Sequence, residues 1–264
     1  MDVRYELHEE IGRGAGGVIF RATDHDLGRQ VALKRLDREG STRLQRLRFV
    51  TEAQVPAQLE HPNIIPVHDI GKTAQGDLYY VMKLVRGRTL KQAMTDGAAR
   101  AVLLDALAEV CQGLAFAHHQ DVLHRDIKPS NLMLGAFGEV LILDWGLARA
   151  PQGTVRDQVG PMTLDGDVLG SLGYMAAEQA RGHVDAQGPW TDVHAVGGIL
   201  YEILVGTPPR HARSLPELLP KLDALPSPPP GPLGALALRC LASNPQARPR
   251  NAQELGELLE LARS

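Results

Sequence analysis

Short apolar and polar runs up to Val85 alternate in the way that predicts β-strands. The runs "RYELHEEIG", "GVIFRATD", "QVALKRL" and "DLYYVMKLV" are rich in β-branched and aromatic residues, and glycine or aspartate turn signals separate them. The stretch "TRLQRLRFVTEAQVPAQLE" instead places Leu44, Leu47 and Val50 at helical spacing with Ala57, although a proline at position 56 should kink that helix or end it early. This part of the chain is therefore predicted to be a sheet with one helix.

Helical periodicity dominates from position 96 onward. "DGAARAVLLDALAEVCQGLAFAHHQ" predicts a long amphipathic helix, and "TDVHAVGGILYEILVG" predicts a second one that begins at Thr191 or Asp192 and ends at Gly206. "NAQELGELLELA" predicts a last helix with Asn251 as its N-cap. The pattern predicts an α+β fold with a mostly β part over 1–85 and a mostly α part over 86–264. A cleft between two such lobes is a common place for a ligand.

Composition narrows the class of protein. The 264 residues include 44% hydrophobic ones, which is enough for a proper core, and the net charge of −3 argues against nucleic acid or an anionic membrane as the main partner. Cys111 and Cys240 lie in apolar stretches without metal-ligand spacing and are interpreted as reduced core residues. The acidic N-terminus lacks the apolar core of a signal peptide, and no apolar run approaches the length that spans a bilayer. We expect a soluble intracellular chain.

A glycine-rich segment, "IGRGAGGVIF", has the spacing of a phosphate-binding loop. Gly12, Gly14 and Gly17 form a GxGxxG pattern, but a strand rather than a helix should follow it. This context favours a flexible hairpin whose backbone N–H groups can approach phosphates. For this segment alone, an ordinary glycine-rich turn is an equally good interpretation.

Lys34 in "VALK" lies among apolar strand residues and needs a counter-charge, because an unpaired buried ammonium is costly. Glu52, on the predicted helix, is the obvious partner. A solvated lysine at the end of a strand is the simpler alternative for this residue in isolation.

Further along the chain come "HRDIKPSN", "DWG" and "AAE". With the glycines, "VALK" and Glu52, these motifs in this order and spacing resemble the protein kinase signature set. The resemblance spans nearly the whole chain and is strongest to the bacterial, eukaryotic-like Ser/Thr kinases, with "HPNIIPVHDIG" and "GYMAAEQ" as further similar phrases. It implies a bilobal fold, with an N-terminal antiparallel sheet and one helix and a larger, mostly α-helical C-terminal lobe. It also implies transfer of the γ-phosphate of Mg-ATP to Ser or Thr hydroxyls of proteins.

The resemblance also implies the roles of the polar residues. Asp126 accepts or orients the proton of the substrate hydroxyl, and Lys128 steadies the transferring phosphate. Lys34 and Glu52 complete the catalytic set. Hard oxygen ligands for Mg²⁺, with Mn²⁺ as an alternative, come from two further residues, Asn131 and Asp144. His124 is interpreted as a packing and hydrogen-bonding residue.

ATP recognition is implied for the end of the strand "YYVMKLV" and its surroundings. Met82 would be the gatekeeper, and backbone groups of Lys83, Leu84 and Val85 would bond the adenine edge. The ring would lie between Ile11, Ile19, Ala32 and Met133. A plain buried strand is compatible with this role, since one edge is enough for the nucleotide.

The segment between Asp144 and Glu178 has poor periodicity and resembles a mobile activation segment. We expect autophosphorylation within it, because an added dianion could pair with Arg125 and order the loop. The candidate acceptors are Thr154, Thr163 and Ser171, of which Ser171 is better explained as a structural hydroxyl. Structural roles are implied for Glu178 with Arg248 as an ion pair and for Asp192 as the anchor of the catalytic loop.

Four residues depart from the family pattern. Trp145 replaces phenylalanine of the DFG motif, Ala177 replaces the proline before Glu178, Gly16 replaces an aromatic, and Pro56 follows one turn after the helical glutamate. None of them removes a polar catalytic group, so they bear on regulation and helix positioning.

Two other functions compete with an active protein kinase. A pseudokinase would serve as a nucleotide-binding scaffold, but such proteins typically lose part of the polar set that is complete here. A small-molecule kinase is disfavoured by the segment "GSLGYMAAEQ", which resembles the platform for protein substrates. The expected partners are ATP and protein substrates, with no nucleic acid and no membrane within this chain. The expected location is the cytoplasm, as a free domain or as the cytoplasmic part of a longer membrane protein. The sequence leaves open the substrate, the activating signal and whether the chain forms a homodimer.

Overall fold

The computed structural model describes residues 4–14, 16–36, 41–148 and 172–264. Its N-terminal strands are β1 (Tyr5–Gly14), β2 (Gly17–Asp24), β3 (Arg29–Leu36), β4 (Val67–Lys72) and β5 (Leu78–Lys83). They form a five-stranded antiparallel sheet in the order β1-β2-β3-β5-β4. The sequence analysis predicted four of these strands and missed β4, an edge strand with only half-buried and exposed residues.

The helix of the N-terminal part, α1 (Arg43–Gln54), begins after Thr42, whose hydroxyl accepts a hydrogen bond from the backbone N–H of Gln45. The predicted early end at Pro56 is confirmed, because that residue opens a short 3₁₀ turn. The residues whose spacing predicted this helix do not form its buried face. Phe49 and Ala53 are buried against the sheet instead, and Ala57 is exposed.

The C-terminal part is mostly helical, as predicted. Its helices are α2 (Leu90–Thr95), α3 (Arg100–His119), α4 (Ala177–Ala180), α5 (Pro189–Val205), α6 (Leu215–Leu218), α7 (Gly231–Cys240) and α8 (Ala252–Arg263). A small antiparallel sheet completes it, with strands β6 (Gly87–Thr89), β7 (Leu132–Gly135) and β8 (Val140–Ile142). The loop "HRDIKPSN" leads into β7. The chain therefore has the α+β, bilobal architecture expected from the sequence.

Helix ends agree with the sequence at two of three predicted positions. Gly206 ends α5 in the left-handed conformation, with φ of 88°, and the Asn251 side chain accepts from the N–H of Glu254 at the start of α8. The predicted start of α5 at Thr191 or Asp192 is wrong, because the helix begins at Pro189. Proline suits a first helical position.

The helix α3 lies at the centre of the largest core cluster, between α5 and α8. By length and mean hydropathy it reaches the minimum for a membrane-spanning helix, and half of its apolar window is buried inside the domain. Packing in the core accounts for this apolar character. Cys111 on α3 and Cys240 on α7 are buried free thiols, as predicted.

Candidate active site

A buried ion pair joins the sheet to α1. Nζ of Lys34 on β3 lies 2.5 Å from Oε1 of Glu52, and the hydroxyl of Tyr80 donates to the same oxygen at 2.7 Å. Burial raises the pKa of the Glu52 carboxyl group, and the Lys34 ammonium opposes that shift. The sequence analysis missed Tyr80, although an aromatic hydroxyl on a buried strand is a signal that a polar partner is near.

The glycine-rich segment is the predicted hairpin between β1 and β2. Gly17 has a φ of 116°, and a Cβ there would lie 2.3 Å from the carbonyl oxygen of Arg35, so only glycine fits. A Cβ on Gly16 would lie 2.7 Å from Nζ of Lys34. The tip of the hairpin therefore rests directly over the Lys34–Glu52 pair.

The loop 124–131 gathers two polar side chains around one carboxylate. Oδ2 of Asp126 accepts from Nζ of Lys128 at 2.8 Å and from Nδ2 of Asn131 at 3.1 Å. Nδ2 of Asn131 also donates to the main-chain carbonyl of Asp126 at 2.9 Å. Burial raises the pKa of Asp126, with Lys128 opposing the shift and Asp144 adding to it.

Asp144 lies at a strained turn after β8. Its φ is 59°, a conformation that non-glycine residues rarely adopt, and strain of this kind is typical of functional sites. Burial alone would raise the pKa of Asp144, but the charges of Lys34 and Lys128 lower it. The same carboxylate acts electrostatically on Glu52 and on Asp126, so the structure brings the ion pair and the loop 124–131 to one cleft.

Trp145 supports this turn from within the core. Its side chain is fully buried, and its Nε1 donates to the carbonyl of Ile142. The centroid of its ring lies 4.6 Å from the centroid of the His124 ring. His124 in turn bonds the main-chain carbonyl of Leu143 through Nε2 at 2.9 Å. The larger aromatic at this position is thus accommodated within the core.

Asp192 on α5 forms hydrogen bonds with the backbone of the loop 124–131. One of its oxygens accepts from the backbone N–H of His124 at 2.9 Å, and the other accepts from that of Arg125 at 2.8 Å. His118 on α3 bonds the first oxygen at 2.9 Å, a contact that the sequence did not reveal. Arg125 has a φ of 67°, so this carboxylate secures a backbone conformation that would otherwise be unfavourable.

A second buried ion pair lies behind the site. Arg248 contacts both oxygens of Glu178, at 2.8 and 3.0 Å, and the hydroxyl of Thr191 donates to the same carboxylate at 2.9 Å. Arg248 also donates to three main-chain carbonyls. Ala177, next to Glu178, begins the short helix α4 and is buried.

The residues expected around adenine lie along β1, β2, β3, β5 and β7. Ala32 on β3 pairs with Met82 on β5, Ile19 pairs with Gly12 and Lys34, and Met133 lies on β7. Ile11 is exposed on β1. The N–H of Lys83 already donates to the carbonyl of Pro66, so this group is not available to the adenine edge. The main-chain groups of Leu84 and Val85 make no hydrogen bond with another described residue.

The candidate phosphorylation sites Thr154, Thr163 and Ser171 lie outside the described residues. Arg125, the residue expected to sense a phosphate there, donates to the carbonyl of Leu147 at 2.6 Å and contacts Gln187. Nε2 of Gln179 donates to the carbonyl of Arg125 at 2.8 Å, which the sequence analysis also missed.

Comparison with known proteins gives a consistent result. The model of the family described as protein kinase domain matches residues 5–255. The serine/threonine-protein kinase PknB of Mycolicibacterium smegmatis is 38% identical, over 96% of this chain and 42% of its own length. PknB of Mycobacterium tuberculosis is 37% identical over the same shares, and PknD of Chlamydia felis is 31% identical over 97% of this chain and 31% of its own. The chain thus spans less than half the length of these relatives.

Proposed function

This chain belongs to the protein kinase family, and we propose on that basis that it transfers the γ-phosphate of Mg-ATP to Ser and Thr hydroxyls of proteins. The observation that carries the proposal is the convergence of the full polar set in one cleft, with Lys34, Glu52, Asp126, Asn131 and Asp144 all in place. A family of relatives named as serine/threonine kinases supports the choice of acceptor.

Asp126 is proposed as the group that receives the proton of the acceptor hydroxyl. Its Oδ2 is occupied by Lys128 and Asn131, so Oδ1 is the oxygen that faces the substrate. Its burial and the neighbouring Asp144 favour proton uptake, because both disfavour the charged form. Lys128, held next to this carboxylate, is placed to steady the transferred phosphate.

The donor set near Asp126 fits a hard divalent cation. The Asn131 amide nitrogen is occupied by Asp126, which leaves its oxygen as an acceptor, and the lowered pKa of Asp144 keeps that carboxylate charged. We propose these two residues as the ligands of Mg²⁺, for which Mn²⁺ could substitute. A cation bound there would neutralise charge on the phosphates. Lys34 would bind the phosphates from the opposite side, with Glu52 and Tyr80 fixing its position.

ATP is proposed to lie against the hairpin and β5. Backbone groups of Leu84 and Val85, with the carbonyl of Lys83, would bond the adenine edge, next to Met82 as gatekeeper. The apolar contacts would come from the side chains of Ile11, Ile19, Ala32 and Met133. Gly12, Gly14 and Gly17 would let the hairpin backbone approach the phosphates.

Regulation by autophosphorylation remains part of the proposal. A phosphate on Thr154 or Thr163 would be attracted to Arg125, which stands next to Asp126 and would couple the segment to the catalytic loop. Ser171 is proposed as a structural hydroxyl rather than an acceptor. We also propose a cytoplasmic location, where ATP is available and the thiols of the buried cysteines stay reduced.

The test is transfer of labelled phosphate from Mg-ATP by the wild type and by Asp144→Asn and Asp126→Asn, with mass-spectrometric mapping of the products. We expect incorporation only with the wild type, since each variant removes a group from the cleft. Asp185→Asn, an exposed carboxylate outside the cleft, is the matched control and should behave as the wild type. ATP binding without any transfer by the wild type would refute catalysis and favour a pseudokinase.

A further inference from the structure

A broad groove beside the loop 124–131 is lined by four lysine and arginine residues among its twelve lining residues. Its volume is about 800 Å³, and the residues that matter for its charge are Lys91, Lys128, Arg210, His211, Arg213 and Glu217. Gly173 and Tyr174 are also among the lining residues. We name this surface the basic groove. It opens next to Asp126 through Lys128, whose Nζ lies 2.8 Å from that carboxylate.

The acidic side chains at the basic groove are already satisfied by residues of the chain itself. Glu202, buried on α5, accepts from Lys91 at 3.1 Å and from the hydroxyl of Tyr174. Glu217 accepts from Nζ of Lys221 at 2.9 Å and from the backbone N–H of Arg213 at 2.9 Å. Neither carboxylate is therefore available to bind a basic residue of an incoming peptide.

Arg210 contributes a positive charge that no carboxylate of the described residues contacts, although the charge of Asp223 acts on it from a distance. Its guanidinium is buried and donates to the carbonyls of Lys221 and Leu222 and, at the longest distance, of Ala224. Its remaining contact is Nε2 of His194 at 3.3 Å. Burial and two neighbouring arginines hold the pKa of His194 well below its ordinary value, so this ring adds no opposite charge. Arginine keeps its charge even when buried.

Arg213 supplies the exposed cation of the basic groove. It lies on the loop between α5 and α6, and its guanidinium forms no hydrogen bond or ion pair with another described residue. An exposed guanidinium presents a fork of donors that matches a carboxylate. Arg210 lines the same groove, so this side of the basic groove attracts anions.

We propose that the basic groove receives the protein substrate and selects segments with acidic side chains beside the acceptor Ser or Thr. The inference rests on the proposed kinase function and adds the chemical class of its substrates. The partner is an acidic segment because Arg213 is exposed and neither its guanidinium nor that of Arg210 contacts a carboxylate among the described residues, whereas Glu217, a lining carboxylate, is paired with Lys221.

Matched peptides test the proposal directly. Three peptides with one threonine and the same length would carry glutamate, glutamine or lysine at the flanking positions, and kcat/KM would be measured with Mg-ATP at low and high ionic strength. We expect the acidic peptide to be favoured over the basic one by about tenfold at low ionic strength, as a few partly exposed ion pairs would give. High salt should reduce this preference, since it screens exposed charges.

Two variants locate the preference in the basic groove. Arg213→Glu should lower the ratio of acidic to basic kcat/KM by about fivefold. Lys91→Ala should improve the basic peptide selectively, because it frees the Glu202 carboxylate for a substrate cation. Arg100→Glu, an equal charge change at an exposed residue at the start of α3 that does not line the basic groove, should leave the ratio as in the wild type.

Equal kcat/KM for the three peptides, or a ratio that Arg213→Glu does not change, would overturn this inference. In that case phosphorylation of the glutamine peptide would still support the kinase function. Absence of phosphorylation of every peptide and of the chain itself would overturn both proposals together.

Discussion

Replacing Asp192 by asparagine should destabilise the domain and the loop 124–131 with it. The carboxylate is 1% exposed and accepts hydrogen bonds from two backbone N–H groups and from the ring of His118. An amide keeps one acceptor oxygen and turns an N–H₂ group toward a donor. Hydrogen bonds to a charged group contribute about 1.5–3 kcal/mol each, and an unsatisfied buried donor costs about 1–3 kcal/mol, so we expect a loss of about 3–5 kcal/mol.

The assay is urea and thermal unfolding followed by circular dichroism. For a domain of this size the expected loss corresponds to a fall in Tm of about 10 °C. Asp185→Asn, at an exposed position, should stay within about 0.5 kcal/mol of the wild type. If Asp192→Asn and Asp185→Asn were equally stable, the hydrogen bonds of Asp192 would not contribute the stability that we expect from them.

The pH dependence provides an independent check. Burial alone would raise the pKa of Asp192, but His118 and the backbone N–H groups lower it below its ordinary value. A carboxylate with a depressed folded-state pKa contributes stability above its unfolded pKa of about 4, and this contribution is lost as pH falls through the folded-state value. The difference in unfolding free energy between wild type and Asp192→Asn should therefore shrink below about pH 4.

Three other substitutions test separate parts of the site. Gly17→Ala should lower the free energy of unfolding in urea by about 2 kcal/mol or more, because the φ of Gly17 is unsuitable for alanine and the added Cβ would meet the Arg35 carbonyl. A loss below about 0.5 kcal/mol, which is typical of a surface substitution, would contradict this packing. Tyr80→Phe removes the hydrogen bond to Glu52 and should raise the KM for ATP by about three- to tenfold, since such a bond contributes about 1 kcal/mol. An unchanged KM would mean that the Lys34–Glu52 ion pair does not depend on the Tyr80 hydroxyl. Arg248→Met leaves the Glu178 carboxylate buried and uncompensated and should lower the unfolding free energy by about 3–5 kcal/mol. The double variant Arg248→Met/Glu178→Gln should recover part of that loss. Absence of any recovery would mean that the lost stability does not come from the unpaired Glu178 carboxylate.

Sequence reasoning located the elements with strong local signals. Asn251, Gly206 and Pro56 mark helix boundaries because each has a specific backbone role that depends only on its neighbours. The buried face of α1 could not be found in this way, since Phe49 and Ala53 face the sheet through contacts that are distant in sequence.

The candidate site shows the same division. The motifs indicated which polar residues belong together, and the structure pairs Lys34 with Glu52 and Lys128 with Asp126. Tyr80 and His118 were missed because their importance comes from bonds to Glu52 and Asp192, far away along the chain. Such partners become visible only when the packing of the elements is known.

The hydrogen bonds around His118 have a consequence for synthesis on the ribosome. Its Nε2 bonds Asp192, which holds the loop 124–131, and its Nδ1 accepts from the N–H of Ala252 at the start of α8. A nascent chain therefore contains every group of the polar cleft long before it contains the helix that completes this support. Since domains generally fold as units during translation, the cleft reaches its final geometry only after residues near the end of the domain have left the exit tunnel. The nascent domain therefore lacks the completed support of the loop 124–131 until α8 has been made.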